Sequence, residues 1–185
     1  IRSLQQSLDI TTVYVTHDQE EALSISDQVC VMVDGVVQQV DTPWVIYNRP
    51  ANRFVASFVG SNNFLSLGVD AGGAARIFGQ ALELPSAVRR VGAKGLVASI
   101  RPEQVVVEVG FPDPGIRVHA TVRQSMFTGR ELQLSVEVAG HGLLDVLTAP
   151  SAAMMALQPG SAVQIGIKAQ DLNYFAPGDT GDLLQ

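Results

Sequence analysis

Cysteine is nearly absent: Cys30 is the only one in 185 residues. A lone thiol rules out an internal disulfide, which fits a reducing compartment. Charge is sparse too, at 16% Asp, Glu, Lys and Arg, and no long charge run occurs. A disordered chain carries more charge and fewer apolar side chains than this. The net charge is −6, with no basic stripe. That argues against nucleic acid as a partner, because phosphate backbones are gripped by clustered Lys and Arg. No apolar run approaches the roughly 18 residues of a membrane-spanning helix. No signal peptide is visible, so a cytoplasmic reading follows, with a peripheral membrane partner left open. Nor is there a G-x-x-x-x-G-K-[ST] phosphate loop; Gly and Lys are never adjacent in that order. The glycine-rich GVDAGGAARIFG lacks the strand-to-helix context of such a loop and reads as a hairpin connection. What the chain does have is apolar content, 46%, ample for the core of one or two domains.

Its pattern changes near Gly60. Before that point helix and strand signals alternate. Ile1, Leu4 and Leu8 share one face of a helix over 1–8. That helix begins without a methionine or a cap, so the expectation is the tail of a longer protein; a processed protein that starts where it should is the alternative. Thr12–Thr16 reads as a strand, with Val13 and Val15 on one face and Tyr14 and Thr16 on the other. Thr16 and Gln19 form a T-x-x-Q capping box, which predicts a helix from Thr16 carrying Glu20, Glu21, Ala22 and Leu23. Glu20 and Glu21 then suit the positive end of the helix dipole. Asp34-Gly35 between Val29–Val33 and Val36–Val40 predicts a hairpin. Thr42-Pro43 opens a short helix through Tyr47. A further helical stretch places Phe54, Val55 and Phe58 on one face, with Gly60 as its stop. From Ser61 onward short, valine-rich strands take over: Phe64–Val69, Ala75–Phe78, Gly95–Ile100, Gln104–Val109, Ile116–Met126, Glu131–Val138, Leu143–Leu147 and Ala162–Lys168. Many short strands at regular spacing predict a barrel or sandwich.

His17 is the candidate functional residue. It sits at the carboxyl end of the expected strand and beside a helix start, where ligands of open α/β sheets and anions collect. A neutral imidazole can donate one hydrogen bond and accept another, and so can link a phosphate oxygen to a water or backbone group. The alternative is a solvated histidine at a loop mouth. No other residue completes a catalytic triad, and one histidine is no metal site. His119 and His141 are isolated and receive no role. Met154-Met155 after Ser151 reads as a short helix packing on the barrel, without the cysteines of a soft-metal site. Arg101 could hold an anion, or belong to a structural salt bridge or strand-end turn. Phe127, Leu172, Tyr174 and Phe175 are core or a dimer surface.

The stretch TVYVTHDQEEALSISDQVCVMVDGVVQQVDTPWVIYNRPANRFVASFVGSNNF resembles the end of the nucleotide-binding domain of ABC importer ATPases. More narrowly, it resembles the maltose, polyamine, ferric-iron and phosphonate group, which has an added C-terminal regulatory domain. THDQEEA is similar to the switch-histidine loop, DQVCVMVDGVVQQV to the closing hairpin, and TPWVIYNRPANRFVASFVG to the exit helices. IRPEQV, MFTGRELQLSV and PGSAVQIGI resemble elements of the oligomer-binding domain called TOBE. Val45 and Asp41 depart from the glutamate and glycine that many relatives carry, and both lie in the exit segment.

The resemblance implies an α/β remnant of an ABC ATPase domain over 1–60, followed by an all-β OB-like TOBE barrel over 61–185. It implies that His17 is the switch histidine, contacting the γ-phosphate of ATP in the intact protein. The intact protein would use ATP and magnesium and work at the inner face of the membrane, with permease subunits and a periplasmic binding protein. The phosphate loop, the LSGGQ-type signature, the magnesium aspartate and the catalytic glutamate are not among these residues, so no activity and no cofactor are expected of them alone. A homodimer, with the N-terminal segment exchanged between chains as one route, would cover the apolar strand 12–16. The second reading is a stand-alone cytoplasmic β-barrel that holds an oxyanion such as molybdate or sulfate.

Overall fold

The computed structural model describes residues 2–107, 115–178 and 181–184. They form two compact units, Ile1–Gly60 with Gly178–Leu183, and Ser61–Pro177 with Leu184–Gln185.

The first unit opens with helix α1, Arg2–Leu8, whose Leu4 and Leu8 stay exposed; Ile1, the first member of the expected face, lies outside the described residues. Residues 11–16 differ from expectation. They are extended, but no strand among the described residues pairs with them, and Val13 and Val15 are 87% and 89% exposed. Alternating apolar residues give a strand its face; only a neighbouring backbone makes it a strand. Helix α2, Gln19–Ile25, starts later than the T-x-x-Q pattern predicts. Its cap is Asp18, whose carboxylate accepts the Glu21 N–H at 3.0 Å. A charged acceptor facing the helix dipole outcompetes the Thr16 hydroxyl for that position.

Strands β1, Val29–Val33, and β2, Val36–Asp41, pair antiparallel as expected, with one irregularity between Val31 and Met32. Asp34 and Gly35 turn the chain at φ 49° and 77°, the left-handed pair that a two-residue hairpin needs. Helix α3, Pro43–Asn48, follows Thr42; helix α4, Arg53–Phe58, is capped by the Asn52 side chain, which accepts the Val55 N–H at 2.9 Å. Val31, Ile46, Val55 and Val59 form the small core. Val55 is fully buried, Phe54 packs against this core, and its ring stacks 5.6 Å from that of the exposed Phe58. Residues from the far end of the chain return to this unit: Arg53 N–H donates to the Gly181 carbonyl at 3.1 Å and Leu183 N–H to the Ala51 carbonyl at 2.9 Å.

The second unit is mostly β. It begins with β3, Asn63–Ser66, and a three-stranded meander of β4, Gly68–Val69, β5, Ala75–Ile77, and β6, Gln80–Ala81. A short helix α5, Ser86–Arg89, leads to β7, Val97–Ile100. After a 3-10 turn, Pro102–Gln104, come β8, Val106–Val107, β9, Ile116–Phe127, β10, Leu132–Val138, and β11, Gly142–Thr148. The expected strand 104–109 is thus half turn and half strand, and its last two residues lie outside the described set. Helix α6, Ala152–Met155, capped by Ser151, precedes β12, Ala162–Ile167; β13, Asn173–Phe175, closes the order.

Five of these strands make one antiparallel sheet in the order β11-β10-β9-β12-β8. It curls until β11 rests on the Pro102–Gln104 turn and approaches β8, the opposite edge. This is the OB-like barrel expected. The long strand β9 permits the curl, pairing with β12 through residues 116–121 and with β10 through 120–127. A second sheet, β13-β7-β3, turns Leu65, Ala98, Ile100 and Tyr174 into the same core as Val122, Leu134, Val136, Ile165 and Ile167. Met154 packs against that core, as the sequence predicts. Strand β13 is not among the strands that alternation predicts, because three residues carry too little periodicity.

Two groups in this unit give it pH-dependent stability. Asp70, at the β4–β5 turn, accepts the Gly72 and Ala74 amides at 2.9 Å each and pairs with Arg76 at 3.1 Å. The Ala74 amide first, then that of Gly72 and the Arg76 guanidinium, hold its carboxyl below the ordinary range. A depressed carboxyl stabilises the fold above its unfolded value and loses that contribution as pH falls through the folded value. Asp70→Asn should therefore lower the melting temperature near neutrality and converge on the parent protein as pH falls through the folded value; parallel thermal scans from acid to neutral pH check this.

Tyr174 shows the opposite sign. Its hydroxyl is buried with no hydrogen-bond partner among the described residues, and burial pushes the phenol up to about 12. That stabilisation is complete below the ordinary tyrosine value of about 10 and is lost as pH rises towards 12. Tyr174→Phe should leave neutral stability unchanged or raise it by up to ~1 kcal/mol, by removing an unpaired buried hydroxyl. It should also flatten the alkaline limb of urea midpoints measured between pH 8 and 12.

Candidate functional site

His17 is presented by a closed ring of short-range hydrogen bonds. The Thr16 hydroxyl accepts the Asp18 N–H at 2.9 Å and donates to the Glu21 carboxylate at 3.2 Å. The Asp18 carboxylate in turn accepts the Glu21 N–H at 3.0 Å. Tyr14 adds a fourth link, its hydroxyl donating to the same Glu21 oxygen at 3.0 Å. The Glu21 carboxylate raises the Tyr14 phenol, through this hydrogen bond first and then through its charge. His17 itself is exposed, between the two tied residues.

The local sequence explains the arrangement. In an extended run, alternate side chains share a face, so Tyr14 and Thr16 both turn towards α2 while Val13 and Val15 turn away. The helix then brings Glu21 back over them. Sequence alone marks the histidine and the first-turn acids but not the meeting of Glu21 with Tyr14. The available signal is D-x-x-E at Asp18 and Glu21, an acidic version of the capping pattern, in register with Tyr14 and Thr16 on the face opposite Val13 and Val15.

The other candidates lie in the second unit and do not build a site. Arg101 is 3% exposed. Its guanidinium donates to the Ser61 carbonyl at 2.9 Å, and its backbone N–H donates to the Gln104 side chain at 3.1 Å. It holds a strand-end turn, one of the structural roles expected of it. Leu172, Tyr174 and Phe175 are core, whereas Phe127 is half exposed near the tip of the β9–β10 hairpin. His119 is exposed, and the His141 ring meets Phe78 edge-on with centroids 5.2 Å apart. Among the described residues no three His, Cys, Asp or Glu side chains cluster as a metal site. None of their helices is long and apolar enough to cross a membrane.

Comparison with known proteins adds the following. Residues 98–175 match the TOBE domain family. The chain is 33% identical over 186 aligned residues to the Fe(3+) ions import ATP-binding protein FbpC of Fusobacterium nucleatum, a match that takes in 100% of this chain and 49% of that protein. It is 36% identical over 177 residues to the spermidine/putrescine import ATP-binding protein PotA of Rubrobacter xylanophilus, covering 92% and 46% of the two. It is 39% identical over 150 residues to the sn-glycerol-3-phosphate import ATP-binding protein UgpC 3 of Rhizobium johnstonii, covering 81% and 40%. The chain thus spans about half the length of the relatives it matches. Among solved structures, the cytoplasmic molybdate-binding protein ModG is similar at a TM-score of 0.48 and 16% identity, over 63% of this chain and 96% of that one.

Proposed function

We propose that this chain, which belongs with the TOBE-containing ATP-binding subunits of ABC importers, is the switch-histidine and regulatory portion of an energy-coupling, ATP-hydrolysing subunit. Residues 1–60 supply the end of the nucleotide-binding domain, and residues 61–185 the TOBE domain that pairs two such subunits. His17 contacts the γ-phosphate of ATP once the phosphate loop, magnesium and catalytic carboxylate of the same subunit are in place. The intact subunit docks on permease partners at the cytoplasmic face of the membrane and serves a periplasmic binding protein.

One observation carries most of this reading: an exposed imidazole stands between two hydrogen-bonded neighbours at the end of an extended segment whose Val13 and Val15 are bare and which pairs with no strand among the described residues. A stand-alone barrel has no use for such a unit. A sheet that continues through residues 11–16 would cover Val13 and Val15 and bring its own ligand groups to His17. Phosphoryl transfer is positioning plus electrostatic stabilisation, and a lone histidine supplies neither amides around the phosphates nor a metal.

The 185 residues by themselves should therefore give no measurable heat when titrated with Mg-ATP. Micromolar binding that is lost in His17→Ala would overturn the division of labour proposed. Titration with molybdate and sulfate under the same conditions tests the oxyanion-module alternative, which requires saturable binding. In solution the unpaired 11–16 face should drive pairing of two chains, read by light scattering on a sizing column; a stable monomer contradicts that.

A further inference from the structure

We propose that Glu21 is a positioning residue for His17: its carboxylate gathers the Tyr14 and Thr16 hydroxyls and so fixes the turn from which the imidazole projects. The proposal rests on the reading of His17 as the γ-phosphate contact.

The geometry is specific. Both hydroxyls reach one oxygen, Oε2 of Glu21, at 3.0 and 3.2 Å. Thr16 is the residue before His17 and Asp18 the residue after it, and both are bonded to Glu21, one through its side chain and one through its amide. Thr16 and Asp18 are also bonded to each other. The backbone on either side of the histidine is thereby tied into one ring, and what remains free is the imidazole's own rotation. Every member of the ring is exposed or half-exposed. Exposed hydrogen bonds add little to stability, because water replaces them at small cost. An arrangement of four such bonds around one residue is therefore better suited to placing that residue than to holding the fold. Placement matters for phosphoryl transfer, where an error of about 1 Å in a contacting group can cost as much as 100-fold in rate.

Glu20 provides the internal control. It lies in the same first turn, feels the same helix dipole and shares no hydrogen bond with Tyr14 or Thr16 among those described. A role for Glu21 that came only from the dipole would be shared by Glu20. Glutamine at position 21 keeps an oxygen acceptor and loses the charge, whereas alanine loses both.

The first measurement needs no nucleotide. Amide relaxation in the 185-residue chain reads ps–ns order at His17. Glu21→Ala should lower its order parameter from the rigid range near 0.85 to below about 0.6. Glu21→Gln and Glu20→Ala should leave it within the rigid range. An unchanged His17 in Glu21→Ala overturns the proposal. The second measurement uses the full-length subunit in its transporter. Glu21→Ala should lower kcat about tenfold, leave KM for ATP within about twofold, and add nothing to the loss caused by His17→Ala. Independent, multiplying losses would show that Glu21 acts elsewhere and overturn the proposal. If His17→Ala leaves kcat intact while the relaxation result holds, the γ-phosphate reading of His17 fails and the ordering of its backbone by Glu21 stands.

Discussion

Replacing Ile165 by alanine is expected to destabilise the second unit by about 3–4 kcal/mol. Ile165 is fully buried at the middle of β12, opposite Val118 of β9 on one side and Val107 of β8 on the other. Among the described residues, β12 is the strand that pairs with β8 and joins it to the five-stranded sheet. The lost contacts therefore fall where the curl is held together, and three strands would have to shift to refill the space. The lower half of the range applies if Val118, which is only half-buried, swings inward. Ile165→Val removes one methylene and should cost about 1 kcal/mol. Urea unfolding of both variants, with intrinsic fluorescence and far-UV dichroism in parallel, measures the pair. A cost for Ile165→Ala no greater than that of valine would mean that the core beneath β12 is not packed as described.

Asn63→Ala should cost about 2–3 kcal/mol, far more than its place in a polar SNN linker suggests. Strand β11 is an edge of the curled sheet, and the backbone of Asp145 faces outward from it. Asn63 occupies that edge with its side-chain amide, donating to the Asp145 carbonyl at 2.8 Å and accepting the Asp145 N–H at 2.7 Å. The amide thus imitates the peptide of a further strand. It satisfies two main-chain groups that would otherwise be desolvated without partners, and it blocks a position where another chain could pair. Asn63→Asp is the sharper test. A carboxylate still accepts the N–H but faces the carbonyl with charge. The variant should be as damaged as alanine at pH 7 and recover part of the loss near pH 3, where the protonated acid can donate again. Equal damage at both pH values would assign the cost to shape and not to the paired hydrogen bonds.

These residues also mark where the sequence was legible. The Asp34-Gly35 hairpin, the Pro43 helix start, the Gly60 stop and most barrel strands depend on neighbours within a few positions, and local chemistry sets them. Strand 12–16 was misjudged because pairing is supplied by backbone elsewhere, and alternation specifies only which side is apolar. The α2 cap was misplaced by two residues because T-x-x-Q and D-x-x-E overlap there, and a charged acceptor prevails over a hydroxyl. Asn63 was invisible because its partner is 82 residues away. His17 stood out by type and position. The ring that holds it became readable only once Tyr14, Thr16 and Glu21 were seen on one side of a single turn.

The return of residues 181–183 to the Ala51–Arg53 backbone has a consequence for how the protein is made. Gly178, which accepts from the Arg53 side chain, follows that residue by 125 positions. During translation the α4 segment leaves the ribosome with this edge bare, well before the closing residues exist. At ordinary elongation speeds of about 5–20 residues per second, the edge waits of order ten seconds for its cover. A released chain truncated after Pro177 should therefore show a protease-sensitive α3–α4 region while its barrel stays resistant.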